Sequence, residues 1–237
     1  MSKSRQPDSG YSLVELLVAT VLFTIIAGTI FSLLFSAQLR YSSESGLTTA
    51  FQQANVAIDQ ITRDIHSAGY PRPSSFAPGV ALNNPQLMAM PFSWSPGYPN
   101  TPCTVGGSCG AVPGGYDLIL ETDTGDGNGV QWIRYSLQGT TLMRGMTKKQ
   151  RFADPVALTS VGVMLPYLDN VVNVTNPPGN NAVPIFGYRY DCNQPLPSEP
   201  SNICKVNIAL IVQAAQPDPK TGQFRAITLT GQAALFN

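Results

Sequence analysis

The chain has 237 residues, a formal net charge of zero and only 12% charged residues. That length suits one domain with a real core plus an anchor, and without a basic excess there is no field to hold nucleic-acid phosphates, so no nucleic-acid partner is expected. Four cysteines in two local pairs, Cys103/Cys109 and Cys192/Cys204, read as disulfides. Zinc is the rival reading, but the spacings are not CxxC and the single histidine, His66, lies elsewhere.

A short leader, residues 1–10, carries Lys3 and Arg5 and ends at Gly10. From Leu16 to Leu39 no residue is charged. As a helix this stretch reaches about 36 Å, enough for a hydrocarbon layer about 30 Å thick. A cleaved secretory signal would have a shorter apolar region and a small-x-small exit, whereas Phe35-Ser36-Ala37 has a bulky residue where a small one is needed. A buried soluble helix would show a polar face, which this stretch lacks. With the cations on the leader side, the bulk of the chain faces away from the cytoplasm. Glu15 is the anomaly, because a carboxylate at the edge of an apolar span is costly. It can snorkel to the headgroups. Alternatively, a cut after Gly10 would give Tyr11 a new α-amino group, and Glu15 would neutralise that of a neighbouring subunit and fix the axial register of two packed helices.

Beyond the span, Leu47, Phe51, Ala54, Ile58, Ile61, Ile65 and Ala68 recur at steps of three and four, which continues the helix with one apolar stripe against a sheet. Asp59 and Arg63 lie off that stripe at a pairing distance of four residues. Gly69-Tyr70-Pro71 ends the helix. The stretch from Pro71 to Gly115 is too rich in Pro and Gly for ladder or helix. Its Met88, Met90, Phe92, Trp94 and Tyr98 read as docking the loop onto the sheet, the alternative being a partner-binding face.

Strands are expected over Tyr116–Thr122, Val130–Leu137 and Thr141–Met146, the last two joined by a tight Gln138-Gly139 turn. The loop from Asp123 to Gly129 places Asp123, Asp126 and Asn128 among glycines. This is a weak calcium pattern without the distal Glu of an EF-hand, and a metal-free turn has the same composition. Val156–Leu168 reads as either strand or short helix. Strands follow at Leu168–Thr175, Ile185–Asp191, Lys205–Ala214 and Phe224–Phe236, the last two flanking a strong turn at Pro217–Gly222.

Gly10-Tyr11-Ser12-Leu13-Val14-Glu15 ahead of an apolar helix resembles the class III signal of type IV prepilins and pseudopilins: a Gly, an aromatic residue, a small polar residue, two aliphatics and Glu. The resemblance implies that a prepilin peptidase cuts between Gly10 and Tyr11 and methylates Tyr11, and that Glu15 sets register during assembly. Major pilins often carry a Pro midway along the span. None occurs here between Tyr11 and Ala68, which tilts the resemblance toward a minor or pseudopilin-type subunit. The run Asp64-Ile65-His66-Ser67-Ala68-Gly69-Tyr70 and the terminal hairpin resemble PilW-type minor pilins, although Phe236 stands where that family commonly has Arg.

The resemblance implies an α+β pilin-like fold in four parts: leader 1–10, transmembrane and filament-core helix 11–39, amphipathic continuation 40–70, and an extracytoplasmic β-rich head 71–237. It implies a minor pilin that primes, caps or enters a type IV pilus, with a type II secretion pseudopilin or a tip adhesin as alternatives. The implied partners are other pilins, prepilin peptidase, an assembly platform and the inner membrane before assembly. The sequence holds no HExxH or phosphate-binding glycine loop, so no enzymatic activity is expected, and no cofactor beyond the calcium candidate.

Overall fold

The computed structural model describes residues 12–77, 79–80, 84–92, 114–149, 161, 163–174, 182–190, 192 and 202–235. Gly10, Tyr11, Trp94, Tyr98, Cys103, Cys109, most of the ambiguous stretch before Met164, and Phe236 lie outside them.

One helix, α1, runs without interruption from Leu13 to Ser67. Among the described residues seven strands follow: β1 (Asp117–Asp123), β2 (Val130–Gln138), β3 (Thr141–Lys148), β4 (Met164–Leu168), β5 (Phe186–Arg189), β6 (Lys205–Gln213) and β7 (Ala226–Ala234). All pairings are antiparallel. The fold is therefore the expected α+β arrangement of one long helix on antiparallel sheet. That sheet is split in two, with strand orders β1-β2-β3-β4 and β5-β6-β7.

The seam between the sheets explains one departure from the sequence reading. Leu168–Thr175 reads as a strand, yet Leu168 ends β4, paired with Leu142, and of the described residues after it only Val171 makes a bridge, to Val212. Asn170 takes φ 60°, a left-handed conformation that Asn tolerates and that breaks an extended run. The Asn173 side chain then stands in for a strand backbone: its Oδ1 accepts from the Ile211 N–H, and its Nδ2 donates to the Ala209 and Val183 carbonyls. The segment also reaches the first sheet, where the Val171 N–H donates to the Thr140 carbonyl. The β2–β3 turn sits one residue later than expected, since Gln138 pairs with Thr141 and leaves Gly139-Thr140 as the loop. Gly139 alone has positive φ there, which suits the first central position of a type II′ hairpin turn.

Against the head, α1 buries Ser43, Ala50, Ala54, Ala57, Ile58, Ile61, Asp64 and Ile65. Ala54, Ile58, Ile61 and Ile65 of the expected stripe are buried, but the face also takes in Ala50, Ala57 and Asp64, and Phe51 is exposed. The reason is space. Ala50, Ala54 and Ala57 let the helix lie close to the second sheet, and at Gly231 on β7 an added Cβ would stand 2.6 Å from Ile58 Cγ2. A phenyl ring does not fit in that layer. Arg63 donates its Nε to the Asp59 carbonyl on the outer face.

The helix stops where the sequence indicates. Gly69 adopts φ 80°, the left-handed residue that closes many helices. The freed Ser67 carbonyl accepts from Thr122 Oγ1 at 2.7 Å, and the Gly69 N–H donates to the Glu121 carbonyl, so β1 caps the helix end. The docking reading of the Pro-rich loop holds for its described part. Met88, Ala89 and Phe92 are buried, and Phe92 bridges to Leu120 on the open edge of β1.

Candidate functional site: the protruding helix

α1 has two halves in different surroundings. From Leu13 to Tyr41 no residue is buried, although the stretch holds most of the exposed large apolar side chains of the chain's described residues, with Phe23, Phe31 and Leu33 all above 70% exposed. The first buried residue is Ser43. A helix whose apolar side chains extend away from its own core needs another apolar environment, either lipid or more helices of the same kind. It is long and apolar enough to cross a membrane.

At its start, Ser12 precedes the first helical residue, and its backbone N–H donates to Glu15 Oε2 at 3.2 Å. Glu15 is thus the third helical residue of a capping arrangement, where a carboxylate also suits the positive end of the helix dipole. Thr20, Thr24 and Thr29 return their hydroxyls to carbonyls one turn back, so the span presents little free hydrogen-bonding capacity.

Residues 5–31 match the family model of the prokaryotic N-terminal methylation motif.

No curated protein and no solved structure matches the chain. The motif is the N-terminal signature of type IV pilin-like proteins. It implies processing by prepilin peptidase and assembly with other pilins. Gly10 and Tyr11 lie within the matched segment.

The remaining site residues are in the head. The Cys192–Cys204 disulfide is present, with Cα atoms 6.2 Å apart, and staples the segment entering β6. Asp123 ends β1 and Asp126 lies in the β1–β2 loop, and their oxygens turn onto the loop itself. Asp123 Oδ1 accepts from the Gly125 N–H, and Asp126 accepts from the Asn128 N–H, Asn128 Nδ2 and Gln131 Nε2. These bonds, led by the Asn128 N–H, hold the Asp126 carboxyl down at about 2. Among the described residues no group of three His, Cys, Asp or Glu is placed to hold a metal.

Two buried polar clusters fix the helix and the Pro-rich loop to the sheet, and sequence reasoning missed both. In one, Asp64 on α1 accepts from Tyr135 Oη at 2.5 Å, Arg144 Nη2 at 3.0 Å and Gln60 Nε2 at 2.8 Å. Burial, then the charge of Asp64, pushes the Tyr135 hydroxyl far above its usual range, so it remains a donor. In the other, Glu121 on β1 accepts from Trp132 Nε1 at 3.0 Å, the Met90 N–H at 2.9 Å and Lys149 Nζ at 2.7 Å, while Lys149 also donates to the Met88 carbonyl. The available signals were Asp64 beside Ile65 on the buried side of the helix and Glu121 inside a strand that buries both faces; Lys149, just past β3, carried no such signal.

Proposed function

We propose that this chain is a minor pilin, a structural subunit that primes, caps or is built into a type IV pilus once prepilin peptidase has cut between Gly10 and Tyr11 and methylated Tyr11. The observation that carries the reading is the bare apolar half of α1, which begins inside the methylation motif and ends where the head begins. Before assembly it lies in the inner membrane with the head outside the cytoplasm. After assembly the same side chains exchange lipid for neighbouring helices. Glu15 pairs with the methylated amino group of an adjacent subunit and sets its axial position. An ionic pair in apolar surroundings suits that task because only one register satisfies both charges. The assignment to a minor subunit rests on the proline-free span and on the Asp64–Tyr70 run, whose acid anchors the helix to the head.

The test is the mature N-terminus of membrane-extracted protein. N-methyl-Tyr at position 11 is the expected result, and an intact Met1 or a cut near Ala37 refutes the reading. Glu15→Ala is expected to leave cleavage intact and abolish incorporation into filaments; normal piliation in that variant refutes the register role. Loss of protein secretion with pili intact on deletion would move the chain to a type II secretion pseudopilin.

A further inference from the structure

The end of the head nearest the span holds a charged cleft. β7 runs alongside α1, with Gly231 at Ile58 and Thr62, and the β6–β7 loop meets the helix where it emerges. There Ser42 Oγ donates to Gln216 Oε1 at 2.7 Å. A cleft of about 160 Å³ opens between them, lined by Arg40, Ser43, Glu44, Asp218, Lys220 and Arg225.

Its position relative to a membrane follows from helix geometry. Leu39 is the last residue of the charge-free span, so Arg40 to Glu44 lie about 1.5–7.5 Å beyond it. The headgroup layer on each side of a bilayer is about 5–8 Å thick, so the cleft lies at that depth. Its charge is also informative. Asp218 is satisfied within the loop by the Lys220 and Thr221 N–H groups and by Arg225 Nη2 at 2.8 Å. Arg40 and Lys220 are in no ion pair among the described residues, and Glu44 alone opposes them. Two aromatic residues flank the cleft in sequence, Tyr41 at 75% and Phe224 at 50% exposure. Exposed aromatics next to cations at the end of a span are the usual composition of a membrane interface.

We infer that the cleft of Arg40 and Lys220, flanked in sequence by Tyr41 and Phe224, is a docking surface for phospholipid headgroups of the leaflet on the head side, with the lipid phosphate between the two cations. This rests on the reading that Leu16–Leu39 spans a membrane. Docking sets the head upright on the bilayer, with the β6–β7 loop as its foot. When the subunit leaves the membrane, the loop gives up its lipid contact.

The test is hydrogen exchange of the full chain in nanodiscs of phosphatidylethanolamine and phosphatidylglycerol, compared with the chain in phosphate-free maltoside micelles. Amides of residues 215–225 are expected to exchange about tenfold more slowly in the nanodiscs, and Arg40→Gln/Lys220→Gln to remove that difference while β2 and β3 stay protected. Equal exchange of the loop in both surroundings overturns the inference, and that comparison decides the matter even if the double variant fails to fold. Equal protection from inorganic phosphate added to micelles also overturns it, since the cleft would then bind free anions. Failure of the spanning reading is distinct: the chain would not enter nanodiscs, or residues 16–39 would exchange freely in them.

Discussion

Lys149→Met should be among the most destabilising single changes in the head. The Lys149 and Glu121 side chains are 2% and 0% exposed and meet at 2.7 Å. Removing one partner of a buried pair costs about 3–5 kcal/mol, because the other charge is left without water or counterion. Glu121 would keep two neutral donors, the Trp132 indole and the Met90 N–H, which places Lys149→Met near 3 kcal/mol. Glu121→Gln should cost more, about 4–5 kcal/mol, since the Lys149 ammonium would retain only the Met88 carbonyl and an amide. The double variant Glu121→Gln/Lys149→Met removes both charges and should lose only about 1–2 kcal/mol, giving a coupling energy of several kcal/mol. Urea unfolding of the chain in mild detergent, followed by the fluorescence of buried Trp132, measures all three. Because Met88 and Met90 bond to this pair, Lys149→Met should also speed amide exchange across residues 88–92. The reasoning fails if Lys149→Met costs less than about 1 kcal/mol, or if the two single losses simply add in the double variant.

Gly231→Ala places a methyl 2.6 Å from Ile58 Cγ2 and should cost about 1–3 kcal/mol by pushing α1 off β7; in an Ile58→Ala background most of that cost should vanish in thermal unfolding. The Asp126 carboxyl, held at about 2 against an ordinary 3.8, contributes stability that is present above pH 3.8 and is lost as pH falls through 2. Asp126→Ala should therefore be less stable than the parent chain at pH 5, with the gap closing toward pH 2, and a carboxyl titration midpoint near 4 would contradict the loop geometry.

The anchor, the helix end and six of the seven strands were legible because each depends on local chemistry. A charge-free run, a left-handed glycine before proline, and alternating apolar residues bounded by turn residues all act within a few positions. The seam between the sheets was not legible. Val171, Val172 and Val174 have every propensity for a strand, and the outcome turned on Asn170 and on an Asn173 side chain whose partners lie on β6, far along the chain. The stripe on α1 was legible at Ala54, Ile58, Ile61 and Ile65, but periodicity did not show that Ala50 is buried and Phe51 exposed. Asp64 entered the sequence reading only through family resemblance. Its role as the acceptor that joins Tyr135, Arg144 and the helix required three elements to be brought together.

The bare half of α1 contributes no side chain to the core of the head. On the proposed function, the energetics of folding and of anchoring are therefore separable within one continuous helix: the stretch before Ser42 would answer to lipid and to neighbouring subunits, and the stretch after it to the sheets. Changes in the first half retune how the subunit inserts and packs without touching the stability of the head, and changes in the second half do the reverse. Because the helix is unbroken between them, a load applied to the embedded half has no hinge in which to dissipate. It arrives at the far end, where Asp64, Tyr135, Arg144 and the β1 cap hold the last turns.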